Sequence, residues 1–194
     1  MGNQHGVRLI LASGSPARRE LLTRAGYTFD VIPANIDEPT EADAHGIRDH
    51  VHSIAWRKAA AVAGRVADGV IIAADTVGWL HNHVIGKPAD AADARRILRT
   101  LGGTTHELWT GCVLWRKPDD VQICWQEVSE VQFRALSDAE LDAYLATRQW
   151  EGCSGAYAIQ EKDDPYVRVV RGSMSNVIGL PMETLARLLP NLQR

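Results

Sequence analysis

A lysine lies where the sequence pattern predicts an apolar side chain. Residues 46–67 have the period of an amphipathic helix, and Lys58 follows Ile54 by four residues and Val51 by seven. These intervals put Lys58 on the apolar stripe of that helix. A lysine there either extends its ammonium group to solvent along its aliphatic stem or meets an anion.

An aspartate follows the most apolar run of the chain. Residues 70–74 read Val-Ile-Ile-Ala-Ala, which is typical of a buried strand, and Asp75 comes directly after them. We expect the strand to end there, because open α/β sheets place their ligands at the carboxyl ends of strands. Asp75 is then a candidate to bind a divalent metal or to accept a proton from water; the alternative is an aspartate that only stabilises a turn.

Two further charged residues lie in loops. Glu38 belongs to the polar segment 35–39, where a solvated carboxylate is the simplest interpretation. Lys87 stands between Gly86, which allows close backbone approach, and Pro88, which stiffens the loop. A lysine presented in this way suits a phosphate group as a point charge, although an exposed loop lysine has the same pattern.

The segment around residues 9–22 predicts a short strand, a turn of small residues and a helix start. Ser15 is a suitable N-cap and Pro16 suits the first helical position. Ser13 lies in the turn, and Arg18 adds positive charge within one helical turn of the cap. Free N–H groups at a helix N-terminus bind anions, phosphates above all. The alternative is a capped helix with solvated arginines. Together with the charged residues above, the segment indicates metal-assisted phosphoryl or nucleotidyl chemistry.

The elements that must position these groups alternate in type along the first half of the chain. Strands are predicted at 7–12, 28–33 and 70–74, helices at 16–25 and 46–67. Further along, the pattern predicts a strand, turn and strand at 79–84, a helix capped by Asp90, long strands at 105–116 and 121–134, a helix capped by Ser137, a strand at 165–171 and a last helix from Pro181. The order indicates an α/β protein.

Composition excludes several classes of function. The chain has 194 residues and a net charge of −3, which argues against a protein that binds duplex DNA or an anionic membrane through a basic face. Its three cysteines have neither zinc-site nor redox-pair spacing, which fits a reducing compartment. We find no signal-peptide pattern and no membrane-spanning run, so we expect a cytoplasmic protein with no nucleic-acid or membrane partner.

The sequence as a whole resembles the Maf family of nucleoside triphosphate pyrophosphatases. The resemblance rests on short blocks that occur in the family's order over essentially the whole chain: 12–22 (ASGSPARRELL), 36–38 (IDE), 57–59 (RKA), 74–77 (ADTV), 86–88 (GKP), 155–160 (GAYAIQ), and GS and NVIGLP within 172–181. Each block is weak alone, and their order and spacing make the match specific.

This resemblance implies a fold and an activity. The fold is a two-lobed mixed β-sheet flanked by helices, with a central nucleotide cleft, akin to the inosine triphosphatase-like fold, in a single domain over residues 1–194. The activity is hydrolysis of a nucleoside triphosphate between its α and β phosphates, which yields a monophosphate and pyrophosphate. The family also implies a divalent cation, Mg²⁺ or Mn²⁺, and a homodimer.

The resemblance also assigns roles to residues. Glu38, Lys58, Asp75 and Lys87 match the family's catalytic set, with Asp75 and Glu38 holding the metal and Asp75 as our first choice of general base. Ser13, Ser15 and Arg18 match its phosphate-binding segment.

The block 155–160 resembles the branch that prefers dTTP and UTP, and Gln160 can offer a donor and an acceptor to a pyrimidine edge. Departures from the family pattern include Ala17, Cys153 and Ala158, and the last of these lies within the block 155–160, two residues before Gln160. The alternatives are the same chemistry on 7-methylguanosine triphosphate or a modified nucleotide, and a nucleotide-binding regulator of cell division or septation.

Overall fold

A computed structural model of the protein describes residues 7–38, 46–159 and 163–193. Its strands are β1 (Leu9–Leu11), β2 (Asp30–Val31), β3 (Gly69–Leu80), β4 (His83–Ile85), β5 (Thr105–Lys117), β6 (Val121–Phe133) and β7 (Val167–Arg171). Its α-helices are α1 (Pro16–Arg24), α2 (Ile47–Ala63), α3 (Ala91–Leu101), α4 (Asp138–Ala146), α5 (Met174–Ile178) and α6 (Met182–Leu188). Short 3₁₀ turns occur at Ser154–Ala156 and Leu189–Leu192.

The described strands form one mixed sheet. Their order is β2-β1-β3-β5-β6-β7, and β4 also pairs with β3. β1 runs parallel to both β2 and β3, whereas the other pairs are antiparallel. Helices pack against this sheet, which confirms the predicted mixed α/β class.

One edge of β3 is only partly covered. β5 pairs with β3 from Gly69 to Trp79, so β1 and β4 must share the opposite edge. There β1 reaches Ile72 and β4 begins at Gly78. Among the described residues no strand pairs with positions 73–77 on this edge. The sheet therefore has a gap in its middle, and Asp75 lies within it.

Apolar side chains pack on both sides of this gap. On the β1 side, α1 and α6 cover the sheet, with Leu22, Leu114 and Leu185 buried between them. On the β4 side, α3 and α4 enclose a second core around Phe133 and Leu98. The long strands β3, β5 and β6 run beneath both cores, so the two lobes share one sheet.

Helix α2 crosses the opposite face of the sheet at very close range. A Cβ atom added at Gly111 in β5 would lie 2.4 Å from the carbonyl oxygen of Val51. Ala55 and Ala59 continue this contact and are fully buried. Small side chains on both elements bring the helix backbone close to the strands. This short distance between α2 and the sheet determines how far the longer side chains of α2 reach.

Most of the predicted elements are present. Ser15, Asp90 and Ser137 cap their helices as expected, and Ser137 forms a capping box with Glu140. The predicted end of a strand at Asp75 is wrong, because β5 pairs with β3 well beyond that residue and carries it to Leu80. The strand predicted at 28–33 is reduced to Asp30–Val31.

The short helix α5 was not predicted; Ser173 caps it. Among the helices that the structure describes, none combines the length and apolar character needed to cross a membrane.

Candidate active site

A cleft of about 1320 Å³ opens at the gap in the sheet. One wall is the turn between β1 and α1 together with residues 33–38, and the other contains β4, Lys87 and residues 151–159. Strand β3 forms the floor. Because neighbouring side chains of a strand point to opposite faces, the open part of β3 presents Asp75 towards α2 and Thr76 towards α1 and α5.

Lys58 binds two carboxylates at the floor of the cleft. Its Nζ atom lies 2.8 Å from Oδ1 of Asp75 and 2.8 Å from Oε1 of Glu38. Lys58 and Asp75 are only 7% and 4% exposed, whereas Glu38 lies at the cleft surface. The lysine on the apolar stripe therefore meets anions and does not extend to solvent.

The charges around Glu38 change its acidity. Burial raises the pKa of Glu38, but the hydrogen bond and positive charge of Lys58, helped by Lys87 and Arg18, outweigh this and leave the pKa below its ordinary value. Asp75 has one oxygen in the ion pair, and its other oxygen, Oδ2, is buried without a hydrogen-bond partner. A buried carboxylate oxygen without a partner is costly, and Asp75 is one of the residues that line the cleft.

The turn before α1 is organised around serine hydroxyls. Ser15 Oγ accepts a hydrogen bond from the backbone N–H of Arg18, which makes Ser15 the N-cap. Ser13 Oγ accepts from the backbone N–H of Ser15 and from Nη1 of Arg18. Both serines line the cleft at the helix start. That this turn binds an anion stays a prediction.

Arg18 is buried behind this turn. Its Nε atom donates to the carbonyl of Gly179 at 2.7 Å and its Nη2 atom to Oγ1 of Thr76 at 3.1 Å. Burial lowers the pKa of Arg18, and the negative charge of Asp75 opposes this effect. The guanidinium group is thus held by three separate segments of the chain, and it brings positive charge to the cleft wall.

Lys87 approaches from the opposite wall and is exposed to solvent within the cleft. The preceding residue, Gly86, accepts a hydrogen bond from the backbone N–H of Gly155, which ties the lysine loop to the 3₁₀ turn. The cleft lining also includes apolar side chains, among them Leu80, Ile97 and Val177, together with the charged Asp93 and Arg96. Charged and apolar groups in one cleft suit a phosphorylated ligand that carries a ring.

The structure brings most of the predicted site residues into this one cleft. Those that line it are Ser13, Ser15, Arg18, Glu38, Lys58, Asp75 and Lys87. Gln160 lies outside the described residues. The roles assigned to all of these residues stay predictions.

His50 and Thr76 are among the lining residues that were not predicted as site residues. His50, buried with its Nε2 atom unpartnered, precedes Ile54 by four residues and could have been found on the same helical stripe. Thr76 belongs to the block 74–77, but nothing in the sequence distinguished it as a site residue.

The carboxylates are compatible with a divalent metal ion. Within residues 7–38, 46–159 and 163–193 no group of three or more His, Cys, Asp and Glu side chains forms a metal cage. However, Mg²⁺ is commonly bound through one or two carboxylates together with substrate phosphates. Asp75, with its unpartnered Oδ2, and Glu38 supply two carboxylates of this kind.

Comparison with the sequences of known proteins gives matches over nearly the whole chain. The sequence model of the family described as Maf-like protein matches residues 8–192. A dTTP/UTP pyrophosphatase of Anaeromyxobacter dehalogenans is 46% identical over 94% of this chain and 92% of its own. A dTTP/UTP pyrophosphatase of Bacillus cereus is 38% identical over 94% of each chain. Among solved structures, the Ham1 protein of Staphylococcus aureus matches with a TM-score of 0.44 and 14% identity, over 65% of this chain and 71% of that one.

Proposed function

The chain belongs to the Maf family, and on that premise we propose that it is a nucleoside triphosphate pyrophosphatase. The reaction is hydrolysis of the bond between the α and β phosphates, which yields a nucleoside monophosphate and pyrophosphate. The observation that carries the proposal is the buried ion pair of Lys58 and Asp75, with Oδ2 of Asp75 unpartnered at the floor of the cleft. Relatives named dTTP/UTP pyrophosphatase support the same activity.

Asp75 acts as the general base in this proposal. Lys58 engages Oδ1, so Oδ2 is the oxygen with lone pairs left for a proton of the attacking water. The ion pair also fixes the carboxylate, because Lys58 itself is held on a helix that packs directly against the strands. A base held in one orientation places the water for in-line attack on the α-phosphorus.

Positive groups on the two walls bind the phosphates. The helix start at 13–18 and the guanidinium group of Arg18 approach from one side, and Lys87 approaches from the other. Charge develops on the leaving pyrophosphate during the reaction, and fixed positive groups stabilise it most in a site that excludes water. The position of Arg18 is set before substrate binds, since its guanidinium group already has three protein partners.

The family resemblance adds a divalent cation, Mg²⁺ or Mn²⁺, which Asp75 and Glu38 would hold. When bound, the cation supplies positive charge that polarises phosphate oxygens. Glu38 suits this role because its lowered pKa keeps it ionised at neutral pH.

The proposed substrates are dTTP and UTP. The names of the relatives support this preference, and so do the apolar side chains of the cleft, which can accept a pyrimidine ring next to Ile159. No feature of the described residues favours 7-methylguanosine triphosphate or a purely regulatory role. We further propose a homodimer in the cytoplasm; free thiols at Cys112, Cys124 and Cys153 fit a reducing compartment.

The test is pyrophosphate release from dTTP, UTP, CTP, GTP and 7-methylguanosine triphosphate with Mg²⁺ or Mn²⁺. We expect Asp75→Asn to lower kcat about 10²- to 10⁴-fold, the usual contribution of a general base. Asp120→Asn is the matched control, because Asp120 pairs with Lys117 at the surface; its kcat should equal that of the wild type.

Two results would contradict the proposal at different levels. Near-normal turnover by folded Asp75→Asn would remove Asp75 as the base. Absence of turnover by the wild-type protein on every nucleotide would overturn the enzymatic function itself.

A further inference from the structure

A chain of hydroxyl groups lies behind Arg18, on the face of β3 opposite Asp75. Thr76 in β3 is the direct cross-strand partner of Thr110 in β5. Their Oγ1 atoms are 2.9 Å apart, and Thr110 Oγ1 donates to the carbonyl of Asn176 at 3.2 Å. At the other end of this series of hydroxyl groups, Nη2 of Arg18 donates to Thr76 Oγ1. The contacts thus run from Arg18 through two threonines to α5.

These hydrogen bonds can run in two directions, because the Thr76 hydroxyl can donate to Thr110 or to the carbonyl of Gly179 at 3.3 Å. The first direction leaves the Gly179 carbonyl to Arg18, whose Nε atom is 2.7 Å from it. A guanidinium group only donates and a carbonyl only accepts, whereas each hydroxyl has one proton to give. If Thr110 gives its proton to Asn176, then the proton between the two threonines must come from Thr76. The lone pairs of Thr76 Oγ1 then face Arg18, which is the orientation that holds Nη2.

The backbone carbonyl of Asn176, which ends this series of hydrogen bonds, is held in place by other contacts. Asn176 is completely buried, and its Nδ2 atom donates to Ser129 Oγ at 2.9 Å and to the carbonyl of Leu108 at 3.3 Å. Ser129 also accepts from the backbone N–H of Ser173, the cap of α5. Strands β5 and β6 therefore anchor the helix from which Asn176 and, just beyond its end, Gly179 present their carbonyls to Thr110 and Arg18.

We propose that Thr110 is a positioning residue for the phosphate end of the substrate, acting through Thr76 and Arg18. Thr110 has no exposed surface and does not line the cleft, so it cannot touch a ligand. Its effect is on Arg18: without the Thr110 hydroxyl, the proton of Thr76 turns to Gly179 O at 3.3 Å, where it competes with Nε of Arg18. The inference rests on the proposed function, in which Arg18 binds phosphate.

Thr110→Val keeps the shape of the side chain and removes the hydroxyl. Because Arg18 would contact phosphate in both the bound substrate and the transition state, we expect KM to rise and kcat to change little. With dTTP as substrate, KM should rise about five- to tenfold, the effect of losing one neutral hydrogen bond, here the one between Thr110 and Thr76. The inhibition constant of inorganic pyrophosphate should rise by a similar factor. Thr110→Ser should restore both values to within about twofold of wild type.

The matched control is Thr104→Val. Thr104 also donates its hydroxyl to a carbonyl, that of Leu101, but it lies outside the cleft lining. Its KM and inhibition constant should stay at wild-type values. Should Thr110→Val not fold, Thr110→Cys replaces it, since a thiol is a weaker donor of similar size, and a smaller rise in both constants is expected.

The inference is wrong if the folded Thr110 variant keeps wild-type KM and pyrophosphate inhibition, even if its melting temperature falls, because Thr110 would then contribute only to stability. Failure of the proposed function gives a different result, because the wild-type protein would then turn over no nucleotide. In that case the binding of inorganic pyrophosphate, measured by calorimetry, still allows Thr110→Val to be compared with the wild type.

Discussion

The ammonium group of Lys58 neutralises the two carboxylates at the floor of the cleft. It is the contact that Asp75 and Glu38 share, and it lies in a part of the protein from which water is largely excluded. The net stabilisation from a buried ion pair is small, because both charges lose their hydration. Removing one partner is much more costly, because the other charge stays buried alone.

Lys58→Met is therefore expected to destabilise the protein by about 3–5 kcal/mol, as for other broken buried pairs. Methionine fills a similar volume, so the loss reports the uncompensated charge of Asp75. Equilibrium unfolding in urea at neutral pH measures it. The comparison is Lys117→Met, whose lysine pairs with Asp120 in a partly exposed ion pair; there we expect at most about 1 kcal/mol. Equal losses in the two variants would contradict the interpretation.

Residue patterns anticipated part of this site. Lys58 was found because helical spacing is local and can be counted along the chain, and Ser15 because a cap and its helix are adjacent in sequence. The contact between Lys58 and Glu38 had no such signal, since a loop carries no period. Thr110 had none either: its role depends on which strand pairs with β3 and in which register.

At the scale of elements, the site depends on how closely α2 approaches the sheet. Val51 and Lys58 are two turns apart on this helix, so the contact of Val51 with Gly111 fixes the helix near the place where Lys58 meets Asp75. A helix displaced outwards would carry the ammonium group away from the carboxylates.

Gly111→Ala tests this dependence. The added Cβ would lie 2.4 Å from a backbone carbonyl, which cannot turn aside as a side chain can. We expect a loss of about 1–3 kcal/mol in unfolding free energy, with a fall in kcat as α2 shifts. Gly64→Ala at the end of the same helix is the control, because the added Cβ would lie 3.8 Å from the carbonyl oxygen of Ala60, which is an ordinary contact distance. Wild-type stability and turnover in Gly111→Ala would refute the close contact.

Helices and strands were predicted best where the residues that determine their ends or their type lie within the same segment of sequence. The caps at Asp90 and Ser137 are visible in the sequence, and so are the two long strands that follow α3. The end of β3 is decided by its partner: β5 continues to pair beyond Asp75 and β4 returns along the other edge. From residues 70–80 alone neither partner is visible, so the polar Asp75 looked like the end of a strand.

At the scale of the whole molecule, stability depends on pH through a buried histidine. Burial lowers the pKa of His106 to about 4 from an ordinary value of 6.5. The unfolded chain therefore binds a proton between these values that the folded protein does not, and stability falls as the pH drops through this range.

We expect the wild-type protein to be about 2 kcal/mol less stable at pH 5 than at pH 7 on account of His106. His106→Leu should remove most of that difference, and His83→Leu, at an exposed position, should keep it. Urea unfolding at the two pH values measures both. A wild-type protein equally stable at pH 5 and pH 7 would show that His106 is readily protonated in the fold.

The hydrogen bond from Arg18 to Gly179 joins residues 161 positions apart. Translation makes the serine turn first and the carbonyl of Gly179 roughly 10–30 seconds later, at ordinary elongation rates. A nascent or prematurely terminated chain thus has the turn that would receive phosphate but not the partner that orients its arginine. Nucleotide hydrolysis is therefore expected to begin only after Gly179 has been made, so products that stop before it would not consume the cell's triphosphates.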